Sequence, residues 1–174
     1  VLDEVDAEVP TGTVGRIFMR QGDDQIEYLH DPEKTHKSRV RDMMTVGDIG
    51  WVDDDGFLYL AGRTSEVIIV GGVNIYPAEV ENVILGHGSV ADVCVVGIPN
   101  EEYGEEVFAA IVLRGSDQDA PENVKGKLRE EIEQLCSDQL AKFKCPRTIE
   151  FRSDLPRDPN SKLYRKKVRD PFWE

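Results

Sequence analysis

Gly62-Arg63-Thr64-Ser65-Glu66-Val67-Ile68-Ile69-Val70-Gly71-Gly72-Val73-Asn74-Ile75-Tyr76-Pro77-Ala78-Glu79-Val80-Glu81 is the stretch on which the reading of this chain turns. An arginine and a short polar joint lead into residues 67–70, which are apolar and β-branched. Residues 73–76 can pair back on them across a two-residue Gly71-Gly72 turn, because glycines accept the positive φ that tight hairpins need. Pro77 suits the first turn of a helix, and Glu79 and Glu81 fall where the helix dipole favours acids. Glycines at a tip also let another molecule approach the backbone closely. Taken alone, the stretch is equally well an ordinary hairpin followed by a helix.

Before it, residues 14–20 alternate roughly, Val14, Arg16, Phe18 and Arg20 against Gly15, Ile17 and Met19. Residues 10–15 look superficially like a phosphate-cradling glycine loop. They lack the Gly-Lys-Ser/Thr ending and precede a strand rather than a helix, so they read as a turn. Residues 31–35 are a polar helix start or turn. Residues 45–51 and 57–60 flank Asp53-Asp54-Asp55-Gly56, an Asp-Gly hairpin signal. The triple Asp lacks the twelve-residue calcium-loop pattern ending in Glu and reads as a solvated turn. Asp48, beside Gly47 just before the strand, sits where a carboxylate can face a groove.

Beyond the opening stretch, a helix over about 77–85 turns Val80, Val83 and Ile84 inward. Residues 90–98 read as a largely buried strand and 107–113 as its antiparallel neighbour. Pro121 opens a long helix to about Leu140, with Val124, Leu128, Ile132 and Leu135 at three- and four-residue spacing. A short strand over 148–151, a Pro-rich loop over 155–161 and a basic segment follow. The predicted fold class is α+β: a small β-rich subdomain, then an α+β domain with an antiparallel sheet and flanking helices. The boundary falls at residues 63–66.

The 174 residues allow one good core or two small ones. A hydrophobic content of 40% and a charged content of 32% describe a soluble globular protein. A net charge of −13 argues against wholesale binding to nucleic acid or an anionic membrane. No run approaches the length of a membrane span, so no integral membrane segment is expected. The charge is uneven: Lys162, Arg165, Lys166, Lys167 and Arg169 cluster with no acid among them, as a solvated helix end or a local anion site. Cys94, Cys136 and Cys145 have no metal-like spacing and do not cluster with His30, His36 and His87, so no metal site is expected. Cys94, in an apolar run, reads as a small buried side chain. Unpaired cysteines suit a reducing, cytoplasmic setting. The chain starts without Met in what reads as mid-domain sequence, which suggests a fragment.

Five motifs in order resemble the C-terminal end of the adenylate-forming enzymes: acyl-CoA synthetases, peptide-synthetase adenylation domains and luciferases. Val46-Gly47-Asp48 resembles the family's Thr-Gly-Asp, and Gly62-Arg63 its nucleotide-binding arginine. Residues 69–81 are similar to the Gly-Gly-x-Asn-Ile-x-Pro-x-Glu-x-Glu signature. Leu140-Ala141-Lys142-Phe143-Lys144-Cys145-Pro146 resembles its Lys-x-Pro segment. Leu155-Pro156-Arg157 through Asn160-Ser161-Lys162 and Arg165 resembles its closing Leu-Pro-Arg…Gly-Lys…Arg motif.

The resemblance implies an acyl-CoA synthetase fragment in which residues 1–64 end the N-terminal domain and 65–174 form the C-terminal mobile lid. It implies ATP with Mg2+ and CoA as substrates, and a carboxylic (fatty) acid activated as its acyl-adenylate. Lys162 is implied to be catalytic at the α-phosphate. Asp48 and Arg63 are implied to hold the nucleotide, Ser65 to be the hinge, and Gly71, Gly72 and Asn74 to line the CoA path. Ser65 stands where Asp or Lys is more usual, and Ser161 where the family has Gly. If that position needs positive φ, Ser costs ~1 kcal/mol. The missing N-terminal domain is the implied partner, the fragment alone is expected to be inactive, and a homodimer is compatible. Two alternatives stay open: an adenylation domain loading a carrier protein, and a non-catalytic CoA- or nucleotide-binding module. Glu79 and Glu81 are expected to be helix-start acids rather than catalytic ones.

Overall fold

The computed structural model describes residues 1–20, 22 and 27–174. Its contacts divide the chain into two compact units, Val1–Ser65 and Glu66–Glu174.

In the first unit the alternation around buried Ile17 yields two short strands, β1 (Gly15–Arg16) and β2 (Met19–Arg20). Helix α1 (Pro32–Lys37) starts at Asp31, whose Oδ1 accepts the Lys34 N–H at 2.9 Å. Strands β3 (Arg39–Val40) and β4 (Met43–Met44) pair with each other, and β2 joins β4. Strands β5 (Asp48–Val52) and β6 (Leu58–Arg63) form the hairpin announced by the Asp-Gly turn. Asp53 Oδ1 accepts the Phe57 and Asp55 N–H groups at 2.8 and 3.0 Å, and Gly56 takes φ +85°. Those backbone bonds, Phe57's foremost, hold the Asp53 carboxyl below its usual range. Strand β1 adds to the other edge of β5.

In the second unit β7 (Ile68–Val70) and β8 (Val73–Ile75) pair across Gly71 (φ +57°) and Gly72 (φ +83°), the two positive values a type I′ turn demands. Helix α2 (Pro77–Leu85) follows, with Val80 and Ile84 fully buried. Strand β9 (Val90–Asn100) pairs antiparallel with β10 (Gly104–Leu113), which starts earlier than the apolar run alone suggests. Then come α3 (Glu122–Gln139), β11 (Thr148–Phe151) and α4 (Arg165–Arg169). Strand β10 is central: β9 takes one edge, while β11 and the β7–β8 hairpin share the other.

The expected α+β fold with an antiparallel sheet is present, with one parallel pair in it: β11 runs parallel to β10. A crossover helix, α3, separates them, and a chain that crosses over by a helix returns in the same direction. The inward stripe of α3 is Leu128, Ile132 and Cys136, all buried, with Leu135 only partly so. Four-residue steps continue the stripe onto the cysteine.

Strands β9 and β10 are buried on both faces. Val93, Val95, Val107, Ala109 and Ile111 pack toward α2 and α3. Cys94, Val96, Phe108 and Ala110 pack against Leu155, Val168 and Phe172. That is why their sequence is continuously apolar rather than alternating. Burial pushes the Cys94 thiol up to about 12 and Cys136 to about 11, so both behave as small core hydrophobes. The outer edge of β9 is closed by side chains. Val95 N–H donates to Glu81 Oε1 at 2.8 Å, Arg165 Nη1 donates to the Val95 carbonyl at 3.4 Å, and Trp173 Nε1 donates to the Gly97 carbonyl at 3.1 Å. An edge satisfied in this way offers no ladder to a foreign strand.

Candidate functional site

In the first unit, Asp48 and Arg63 are direct cross-strand partners on β5 and β6, and Arg63 Nε lies 3.3 Å from Asp48 Oδ1. Gly47, at φ +88°, turns the chain into β5, and its carbonyl accepts the Thr64 N–H at 2.9 Å and the Thr64 hydroxyl at 3.2 Å. The hairpin register therefore presents a carboxylate acceptor beside a permanent cation. With Arg63 half exposed, their mutual attraction is worth at most ~1 kcal/mol, so a ligand can recruit both groups at little cost. Ser65 is exposed in a single 3-10 turn, Thr64–Glu66, and is the last residue of the first unit.

In the second unit the Gly71-Gly72 tip is exposed. Gly71 N–H donates to the Tyr103 carbonyl at 2.9 Å. A Cβ on Gly71 would lie 3.4 Å from the Tyr103 ring, whereas Gly72 faces open space. Asn74, also exposed, sits across from Ile69 in the same hairpin. Ile69 and Val73 are exposed apolar flanks of the tip.

Lys162 lies on a loop closed by the bridge between Arg157 and Leu163. Asp158 Oδ1 accepts the Asn160 and Lys162 N–H groups at 2.8 and 2.9 Å. Asp158 N–H donates to the Lys162 carbonyl at 2.9 Å, Ser161 N–H to the Asp158 carbonyl at 2.9 Å, and Arg157 Nη1 to the Ser161 carbonyl at 2.9 Å. The loop backbone is thus tied to itself while the Lys162 side chain is exposed. Among the described residues, no carboxylate stands within ion-pair distance of its ammonium.

Ser161 takes φ +63°, the left-handed conformation that a side chain disfavours. Relief of that strain by glycine, ~1 kcal/mol, is offset by glycine's greater freedom when unfolded, ~0.5–1 kcal/mol. Ser161→Gly should therefore be nearly neutral in thermal unfolding. Ser161→Val, whose β-branch resists positive φ, should lose about 1–2 kcal/mol. A neutral valine variant would contradict the left-handed geometry.

The basic segment divides. Arg165 is turned inward, with both Glu81 oxygens on its guanidinium (Nη2 to Oε2 2.8 Å, Nη1 to Oε1) and Nε 3.2 Å from Glu66 Oε2. Burial alone would lower its pKa, but the hydrogen bonds and charge of Glu81 outweigh it and raise the pKa above its usual value. Lys166 and Arg169 both pair with Asp170. Glu81 is accordingly no simple helix-start acid: it is buried and holds Arg165 and the β9 edge together. Glu79 receives the Lys144 ammonium at 2.6 Å. A signal for Glu81 was available, since Pro77, Val80, Glu81 and Ile84 are one stripe of a helix (i, i+3, i+4, i+7) and all four are buried. Glu66 and Asp158 carried no such signal.

Residues 79–162 match the family described as the AMP-binding enzyme C-terminal domain. The fatty acid–[acyl-carrier-protein] ligase ScoC of Streptomyces coeruleorubidus is 38% identical over 173 residues, covering 99% of this chain and 32% of that protein. The long-chain-fatty-acid–CoA ligase FadD13 of Mycobacterium tuberculosis is 37% identical over 146 residues, covering 84% of this chain and 27% of that protein. Among solved structures, an ATP-bound RpMatB-BxBclM chimera superimposes with a TM-score of 0.88 at 32% identity, over 98% of this chain and 33% of that one. The chain spans about a third of the length of these proteins. No helix among the described residues is long and apolar enough to cross a membrane. By sequence and by fold, the chain belongs to the adenylate-forming ligases, and its residues 79–162 are their AMP-binding enzyme C-terminal domain.

Proposed function

We propose that this chain is the C-terminal portion of an acyl-CoA synthetase, with residues 1–64 ending the N-terminal domain and 65–174 forming a lid that pivots at Ser65. In the first half-reaction a carboxylate oxygen of the acid, a fatty acid in the leading case, attacks the α-phosphorus of ATP. The bond to the bridging oxygen breaks, pyrophosphate leaves, and an acyl-adenylate remains. Lys162 neutralises charge that builds on the phosphoryl oxygens. Asp48 accepts the ribose hydroxyls and Arg63 donates to the nucleotide. In the second half-reaction the lid rotates and withdraws Lys162. The Gly71-Gly72 tip, with Asn74 beside it, then lines the path of the CoA thiol, whose sulfur attacks the acyl carbonyl carbon and expels AMP.

The observation that carries this reading is the Lys162 loop: a backbone whose polar groups are engaged locally, displaying an uncommitted ammonium. Among the described residues no His, Cys, Asp or Glu group gathers as a metal site, and the Mg2+ of the reaction is proposed to enter with the triphosphate. A cytoplasmic setting accompanies the proposal.

A second reading rests on the 38% identity to an acyl-carrier-protein ligase, in which the acceptor thiol is that of a carrier protein. The test uses the full-length enzyme containing this chain. Fatty-acid-dependent ATP–pyrophosphate exchange is expected, followed by AMP release on adding CoA. Transfer to a pantetheinylated carrier and not to CoA would select the second reading. Absence of exchange with retained AMP or CoA binding would leave a non-catalytic module. Residues 1–174 alone, which contain no Ser/Thr/Gly-rich phosphate loop, are expected to show no exchange.

A further inference from the structure

The Arg165 guanidinium joins three separate segments of the second unit. Its two terminal nitrogens serve Glu81 on α2, Nε faces Glu66, and Nη1 also reaches the Val95 carbonyl of β9. Two acids therefore use different edges of one rigid fork, which fixes its orientation as a single ammonium could not. Glu66 is the first residue of the second unit, directly after Ser65. Arg165 is the first residue of α4, immediately beyond the Lys162 loop. One side chain thus links the segment leaving the unit boundary to the segment bearing the lysine. On the other flank of the loop, Arg157 pairs with Asp92 of β9 and holds the Ser161 carbonyl.

The two acids differ in what they can contribute. Glu81 is buried and its side chain is only 10% exposed, whereas the Glu66 side chain is 31% exposed. Glu81 supplies the larger part of what holds the Arg165 charge inward, Glu66 a smaller one. A partly exposed bridge such as Glu66–Arg165 adds little to folding stability. Its available contribution is orientation: it sets where α4, and so the end of the lysine loop, lies relative to the segment that follows the boundary.

We infer that Glu66 and Arg165 are positioning residues for Lys162, coupling the lysine loop to the pivot segment in the adenylate-forming arrangement. The inference rests on the function proposed above and adds a residue pair that touches no substrate. An ammonium misplaced by about an ångström loses up to about 100-fold in rate without any loss of folding. The thiol-transfer step, from which Lys162 is withdrawn, should not depend on the pair.

The experiment measures both half-reactions separately in the full-length enzyme: fatty-acid-dependent ATP–pyrophosphate exchange, and transfer to the acceptor thiol from preformed acyl-adenylate. Glu66→Gln should lower the adenylation kcat by about 10-fold and Arg165→Lys by about 30-fold, with KM for ATP and the rate of thiol transfer each within about 3-fold. The double variant should lose less than the product of the single losses, because both report one contact. Thermal unfolding of Glu66→Gln should match the parent, which separates positioning from folding. Unchanged adenylation in Glu66→Gln, or parallel loss of both half-reactions, would overturn the inference. Lys162→Ala is the control. If it slows adenylation by about 10²–10³-fold while Glu66→Gln leaves the rate unchanged, only the positioning role falls; if it leaves adenylation intact, the catalytic reading falls and the positioning role with it.

Discussion

Lys162→Ala in the full-length enzyme is expected to slow acyl-adenylate formation by about 10²–10³-fold, equivalent to about 2.7–4 kcal/mol of transition-state stabilisation. The magnitude follows from what the loop is built to do. Its backbone bonds are made to Asp158 and Arg157, so truncating the lysine removes none of them. The side chain is exposed and forms no ion pair with a described residue, so folding should be indifferent to its loss. On the function proposed, a charge that folding does not need, on a loop tied back to Asp158 and Arg157, contributes through what it meets in the complex. Lys162→Arg is not a conservative replacement, because a planar fork cannot occupy the position of a compact ammonium. It should recover less than a tenth of the lost rate. Measurement of fatty-acid-dependent pyrophosphate exchange decides the point, and a loss below about 3-fold would remove Lys162 from the mechanism.

Much of the frame that carries this lysine is written locally. The Gly71-Gly72 pair dictates a two-residue hairpin, Pro77 marks the helix start, and the stripe of Val80 and Ile84 fixes which side of that helix faces the core. The Asp-Gly turn likewise sets the register that places Asp48 across from Arg63. Each of these follows from dihedral preference or periodicity within a few residues. The parallel pairing of β11 does not, because the direction of a returning strand depends on the connection and not on its own sequence. Nor does the partnership of Glu81 with Arg165. Locally, one is an acid in the first turns of a helix and the other a member of a basic run. Phase alone puts Glu81 on the buried stripe, and a buried carboxylate demands a partner. Nothing in the local sequence names which cation it will be, and tertiary packing makes that choice.

That partnership sets the largest stability effect expected in the second unit. Glu81→Ala removes both oxygens from Arg165 and the acceptor of the Val95 N–H, all in a nearly water-free setting. Breaking a buried ion pair from one side costs about 3–5 kcal/mol, and the lower figure applies here because Glu66 still faces Arg165. For a unit of this size about 3 kcal/mol should lower Tm by more than about 10 °C. Glu81→Gln keeps an acceptor for Val95 and a neutral partner for Arg165, and should lose about half as much. The informative variant is Glu81→Leu with Arg165→Met, which removes both charges together. The unpaired-charge penalty then disappears, but the Val95 N–H on the β9 edge stays without its acceptor, at about 1–3 kcal/mol. The double variant should therefore fall between the parent and Glu81→Ala in thermal unfolding. If it were instead less stable than Glu81→Ala, the pair would contribute more than the relief of its own burial, and the edge bond to Val95 would not account for what remains.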